Sequence, residues 1–214
     1  MPYGQLPTIK ADDGTEYQGF KIKVPNPPKV AFVTLPTTAQ MMLRLNAQKT
    51  VRHSLGRGKS ETRAVQNQEA DLKLFKTIRL DANGPEFDMH EAAMVIGKLT
   101  YCEATETARS GEEFMVTVDT PFGEVMHTVR MPFQPEIHAY RSAALSEMEM
   151  RHGQTEYRFK PDVAVTLYKQ IAKAIEGYVD TISLSDVPPH HMIAVVSEVV
   201  SRMDDIDPLM DPNS

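Results

Sequence analysis

The sequence states one pattern twice. Val33-Thr34-Leu35-Pro36 closes an apolar, β-branched run and opens a helical stretch, and Val129-Arg130-Met131-Pro132 does the same 132 − 36 = 96 positions later. Leu74-Phe75-Lys76-Thr77-Ile78 returns as Leu167-Tyr168-Lys169-Gln170-Ile171 at an offset of 93, and Val95-Ile96-Gly97-Lys98-Leu99 as Val199-Val200-Ser201-Arg202-Met203 at 104. Three echoes in one order, with offsets differing only by loop-sized amounts, predict a duplicated unit of about 95 residues. A chain of 214 residues accommodates two such units.

Within each unit the local signals read strand, strand, helix, helix, helix. Ile22 and Val24 alternate with Lys21 and Lys23, Pro25-Asn26-Pro27-Pro28 interrupts, and Val30 to Leu35 is a second strand. Pro36 starts a helix that Thr37 or Thr38 caps, with Ala39, Met42, Leu43, Leu45 and Ala47 as a broad apolar side fading near Arg52. A loop over 54–66, a helix from Ala70 to Leu80 and a helix from Asp88 to Leu99 complete the first unit. In the second, Phe114, Val116 and Val118 alternate with Met115 and Thr117, and Pro121-Phe122-Gly123 turns into Val125 to Met131. Helices follow from Pro132 to near Gly153, from Pro161 to near Gly177, and from Pro188 to Met203. The expected fold is α+β: an arm at 1–13, ββααα units at 15–108 and 109–206, and an acidic tail at 207–214. A hairpin alone is marginal, so the two are expected to share one small antiparallel sheet.

The chemistry-bearing motifs fall short of catalytic signatures. Gly56-Arg57-Gly58-Lys59-Ser60 looks like a phosphate loop, but His53 stands where the first glycine belongs, and a helix rather than a strand is expected before it. The segment instead offers Lys49, Arg52, Arg57, Lys59 and Arg63 against Glu61, a basic stretch suited to an anionic partner. His90-Glu91 begins a zinc-peptidase pattern whose second histidine would fall at Met94. His190 and His191 are neighbours at a helix start and are expected to point apart, and His127, His138 and His152 lack ligands at metal spacing. Cys102, the single cysteine, reads as a small buried hydrophobe. Glu147, Glu149 and Glu156 read as helix faces and loops. No enzyme activity, cofactor or metal is expected.

A formal net charge of −6 argues against a general nucleic-acid binder, which needs surplus Lys and Arg for phosphates. Met1-Pro2-Tyr3-Gly4-Gln5-Leu6-Pro7 has no basic-then-apolar pattern, and no run of about 18 apolar residues exists to span a membrane. A cytoplasmic protein is expected. Methionines are abundant, and Met41-Met42 sit on a helix where flexible thioethers dress either a core or an adaptable surface.

Asp13-Gly14-Thr15, the Val33-to-Thr37 strand-to-helix step, the Gly56-to-Ser60 loop, Val129-Arg130-Met131-Pro132 and Val187-Pro188-Pro189-His190-His191 together resemble the tail assembly chaperones of tailed bacteriophages. The resemblance lies in size and segment order over most of the chain. It implies a non-enzymatic role in the bacterial host: holding the tape measure protein soluble while tail tube subunits polymerise around it. Met41, Met42, Arg52, Arg57 and Lys59 are the expected partner-binding residues, and self-association is a further expectation. The alternative is a structural subunit or adaptor of a phage tail or related particle; a third class is an enzyme with a site between the two halves.

Overall fold

A computed structural model describes residues 6–56, 59–110, 112–151, 154–176 and 187–206; within 49–65 and 145–158, and at 174, 176 and 204–206, it describes backbone only. The fold is α+β, with six helices and small antiparallel sheets among the described residues. The chain divides into two compact units, one of residues up to Tyr101 with Ser146–Phe159, the other of Cys102–Leu145 with the chain from Lys160 onward.

In the first unit, β1 (Thr8–Lys10) pairs antiparallel with β2 (Glu16–Gln18) across the Asp13-Gly14 turn. There the Thr15 N–H donates to Asp13 Oδ1 (2.9 Å), holding the Asp13 carboxyl below its usual range, and Gly14 takes a φ of 87°. β3 (Phe20–Val24) pairs with β4 (Lys29–Val33), burying Phe20, Ile22 and Val24 while Lys21 and Lys23 face out. A Cβ at Gly19, between β2 and β3, would collide with the Val33 carbonyl, so only glycine lets the backbones approach there. α1 (Thr38–Ala47) opens on a capping box: Gln40 N–H donates to Thr37 Oγ1 and Thr37 N–H to Gln40 Oε1. The hairpin β5 (Lys49–Gly56) and β6 (Lys59–Val65) follows, then α2 (Gln68–Ile78), capped by Asn67. The chain then returns to β4, where Arg79 bridges Val33 and the Leu80 N–H donates to the Phe32 carbonyl (2.8 Å). α3 (Met89–Leu99) starts on an Asp88–Glu91 capping box and packs Ala92, Val95, Ile96 and Leu99 inward.

The second unit is built on a sheet of order β12-β9-β8-β7, from β7 (Glu103–Ser110), β8 (Glu113–Thr120), β9 (Gly123–Arg130) and β12 (Ala172–Glu176). α4 (Gln134–Ala144) follows β9, α5 (Pro161–Ile171) precedes β12, and α6 (Pro189–Ile206) packs on β7, β8 and α5. Between α4 and α5 lie β10 (Leu145–Arg151) and β11 (Gln154–Phe159), which belong to the first unit, where β11 pairs with β5 in a β10-β11-β5-β6 sheet. The Lys160 N–H donates to the Ala144 carbonyl (3.3 Å), joining the points where these strands depart and return.

The two parts of the chain run through the same elements: hairpin, helix, hairpin, helix, a return to the hairpin's second strand, helix. Arg79, the C-cap of α2, opposes Val33, and Ala172, the C-cap of α5, opposes Val129. These pairs are separated by 172 − 79 = 93 and 129 − 33 = 96 positions, the offsets of the sequence echoes. Leu74, Phe75 and Ile78 are buried in one helix, and Leu167, Tyr168 and Ile171 in the other.

Several expectations are corrected. The hairpins β3–β4 and β8–β9 lie in separate sheets, and the hairpins that do share a sheet are β5–β6 and β10–β11. Lys-Ser-Glu-Thr-Arg carries no apolar alternation and reads as loop, whereas Met148 and Met150 do alternate with Glu147 and Glu149, a strand signal that the helical reading of 132–153 passes over. α1 ends at Ala47 rather than near Arg52, since Asn67 Nδ2 occupies the Ala47 carbonyl (3.0 Å). α4 ends at Ala144 rather than near Gly153, and α5 at Ile171, where Ala172 turns extended to pair with β9. The arm at 1–13 includes a paired strand at Thr8–Lys10, and the expected 108/109 division falls inside β7. The tail at 207–214 lies outside the described residues.

One ion pair ties the first hairpin to α3. Lys29 Nζ reaches Glu91 Oε1 (2.7 Å), and the Asp88 N–H donates to Glu91 Oε2 (2.8 Å). Lys29 first, then the Asp88 amide, hold the Glu91 carboxyl below the usual 4.5. A depressed folded-state value means this stabilisation is complete above the ordinary glutamate range and is lost as pH falls through the lowered value. Glu91→Gln is therefore expected to destabilise the protein at pH 7, with the difference from the parent shrinking as pH drops below 4.5. Urea unfolding of both proteins across that range measures it, and a constant difference would contradict the pairing.

Candidate functional site

Two constructions stand apart from ordinary core packing. The first is a cleft of about 340 Å³ between α1 and α2, lined by apolar Leu43, Ala47, Ala70 and Leu74 and by the stems of Gln40 and Lys73. Its walls are fixed by polar contacts at one end. Asn67 Oδ1 accepts from the Ala70 N–H to cap α2, while its Nδ2 donates to the last carbonyl of α1. Beneath them Arg44 Nε donates to Asp71 Oδ1 (2.6 Å), with the two side chains 9% and 1% exposed, and Gln66 Nε2 donates to Asp71 Oδ2 (2.8 Å). Removal of either charge would leave the other buried and uncompensated. The rim carries both signs, in the exposed Lys73–Glu69 pair (3.0 Å).

The apolar side of α1 is where sequence and structure diverge. The helix buries Met41 and Arg44, not the stripe of Ala39, Met42, Leu43, Leu45 and Ala47. Leu43 is 73% exposed, and Met42 is half-buried. Met41, expected on a partner-binding surface, is wholly buried and packs the core instead. The Arg44–Asp71 pair lets an arginine occupy an inward position, which rotates the apolar stripe toward solvent. Leu43, Asn67 and Leu74 were missed as site residues. An apolar stripe too wide for one contact face was the available signal. Arg57 lies outside the described residues, as do the side chains of Arg52 and Lys59.

The second construction is a group of imidazoles in the second unit. His127 on β9 is fully buried, and its Nδ1 shares a 2.7 Å hydrogen bond with the Tyr168 hydroxyl on α5. Its Nε2 has no hydrogen-bond partner among the described residues. Burial pushes His127 down to about 4 and Tyr168 well up, so both are neutral at physiological pH. His190 and His191 begin α6, their rings edge-on with centroids 4.4 Å apart. Burial first, then the repulsion that a protonated His191 would meet from protonated His190 and His127, drives His191 strongly down. Cys102, just before β7, is half-buried and donates from Sγ to the His190 carbonyl (3.6 Å).

Sequence neighbours lie about 100° apart around a helix and were expected to diverge. Imidazoles are long enough to meet despite that angle. Ligating atoms of Cys102, His190 and His191 all lie within 4.8 Å of one another. His90 is exposed on α3, and His138 is exposed on α4.

No family model, curated protein or solved structure matches this chain. Among the described residues, no helix is long and apolar enough to cross a membrane.

The His127–Tyr168 contact generates an expectation for stability. Tyr168→Phe keeps the ring but strands His127 Nδ1 in the interior, at a cost of about 1–3 kcal/mol by the usual penalty for an unsatisfied buried group. Chemical denaturation measures this, and an unchanged midpoint would show that the hydrogen bond contributes nothing net.

Proposed function

We propose that the protein is a non-enzymatic binding protein of bacteriophage or prophage tail assembly, acting in the cytoplasm of the bacterial host. In this reading it holds an apolar helical segment of a protein partner in the α1–α2 cleft. The observation that carries it is the outward turn of α1: an apolar stripe with Leu43 73% exposed beside a preformed cleft. A helix presenting large aliphatic side chains at i and i+4, flanked by charges, matches such a cleft and its mixed-sign rim. The formal net charge of −6 favours a basic partner over a second copy of the same acidic chain. The resemblance to tail assembly chaperones makes the tape measure protein the proposed occupant, because it is long, helical and apolar before the tube surrounds it.

A structural adaptor of the particle is the second reading, favoured by the repeated order of elements in the two parts of the chain. It differs in one respect: an adaptor remains stoichiometric in finished particles, and a chaperone leaves them.

Co-expression with a phage tape measure protein tests the binding role. The parent protein is expected to raise the soluble fraction of that partner several-fold, and Leu43→Glu to abolish the gain. Because Leu43 is exposed, Leu43→Glu should itself fold with stability within about 0.5 kcal/mol of the parent. A parent that leaves the partner insoluble, or a variant that works equally well, would overturn the assignment of the cleft.

A further inference from the structure

We propose that Cys102, His190 and His191 form a binding site for a zinc-class divalent metal ion. One thiol and two imidazoles are a donor set for zinc or a neighbouring transition metal, not for magnesium or calcium, which take oxygen. A tetrahedral zinc ion holds sulfur and nitrogen donors about 3.3–3.8 Å from one another, given bond lengths of about 2.3 and 2.0 Å. The three ligating atoms already lie within 4.8 Å, so modest side-chain rotation completes the set. Cys102 and His190 are half-buried, leaving a solvent route for the ion, while His191 is buried and held.

The fold does not demand polar groups at this place. Carrying the echo offsets back, Tyr168 corresponds to Phe75 (168 − 93), His127 to Ala31 (127 − 96) and His191 to Phe87 (191 − 104). In the first unit those positions hold hydrocarbon side chains: Ala31 is fully buried, and Phe75 and Phe87 have ring centroids 5.0 Å apart, with the Arg79 guanidinium 5.8 and 5.3 Å from the two rings. At the same sequence offsets the second unit carries two imidazoles and a phenol. Two aromatic hydrocarbons would fill the space without the cost of burying imidazoles, so the polar set has a use beyond packing.

Binding converts the Cys102 thiol to a thiolate, with its proton released to solvent, and draws the ligating nitrogens of two neutral imidazoles onto the ion. Three protein donors leave a fourth tetrahedral position for water or a further ligand. The ligands lie 88 and 89 positions apart in sequence (190 − 102 and 191 − 102), so the ion fastens the start of α6 to the start of β7.

Cobalt(II) titration of the tag-free, full-length protein is the test. The expected result is one ion per chain with thiolate-to-cobalt charge-transfer absorption in the near ultraviolet, displaced by zinc. Cys102→Ser should lose that absorption, and His190→Gln/His191→Gln should weaken cobalt binding at least a hundredfold. Zinc should also raise the parent's unfolding temperature and slow alkylation of Cys102. The parent titration decides the matter even where a variant fails to fold: absence of stoichiometric cobalt, or binding without the thiolate band, would overturn the site. The cleft on α1–α2 is untouched by either result.

Discussion

A two-stranded hairpin buries too little surface to persist alone, and both units meet that constraint in the same way. In each, the second strand of the hairpin takes a further backbone partner as the chain leaves a helix: Arg79 against Val33, and Ala172 through Glu176 against β9. The last carbonyls of a helix have no partner within it, and the returning backbone is where such groups find one. The return also presses the preceding helix onto the hairpin. That is why Phe75 and Ile78 in α2, and Tyr168 and Ile171 in α5, are fully enclosed.

Enclosure on one side leaves the other free for different uses. In the first unit, α2 faces α1 across a cleft whose floor includes a buried arginine–aspartate pair. Such a pair adds little net stability over apolar packing, because both ions surrender their hydration. Its consequence is directional. With Arg44 turned inward beside Met41, Leu43 points away from the core and Met42 is only half-buried, so a helix that reads as amphipathic keeps apolar surface outside. Exposed apolar surface beside a shaped cleft is the arrangement that partner-binding surfaces use.

In the second unit the specialisation is internal. His127 Nδ1 and the Tyr168 hydroxyl share a hydrogen bond, whereas the imidazoles of α6 and the thiol of Cys102 lie together. In the first unit Phe75 and Phe87 pack on each other instead, ring centroids 5.0 Å apart. The order of elements is alike in the two parts of the chain, and their interiors are filled differently.

Much of the frame was legible in the sequence. Alternation at Ile22 and Val24 and at Val116 and Val118 marked the hairpins, because strand side chains repeat every two residues. Asp88 with Glu91 marked the start of α3, because a cap and its box are local in sequence. The hairpin at 49–65 was hard to read, since Lys59 to Arg63 carry no apolar period and β5 is paired with β11, a strand about 100 positions away; at 145–159 the alternation of Met148 with Met150 and of Tyr157 with Phe159 was present but short. The outward face of α1 was hidden as well, because it depends on Asp71, 27 positions away, accepting Arg44. Local propensity and periodicity are written in consecutive residues, so the chain alone marked the strands of the main hairpins and the centres of the helices, but not where α1, α4 and α5 end. Convergence of Cys102 with His190 and His191 requires α6 to pack against β7, and only the tertiary structure brings together groups that the chain holds so far apart.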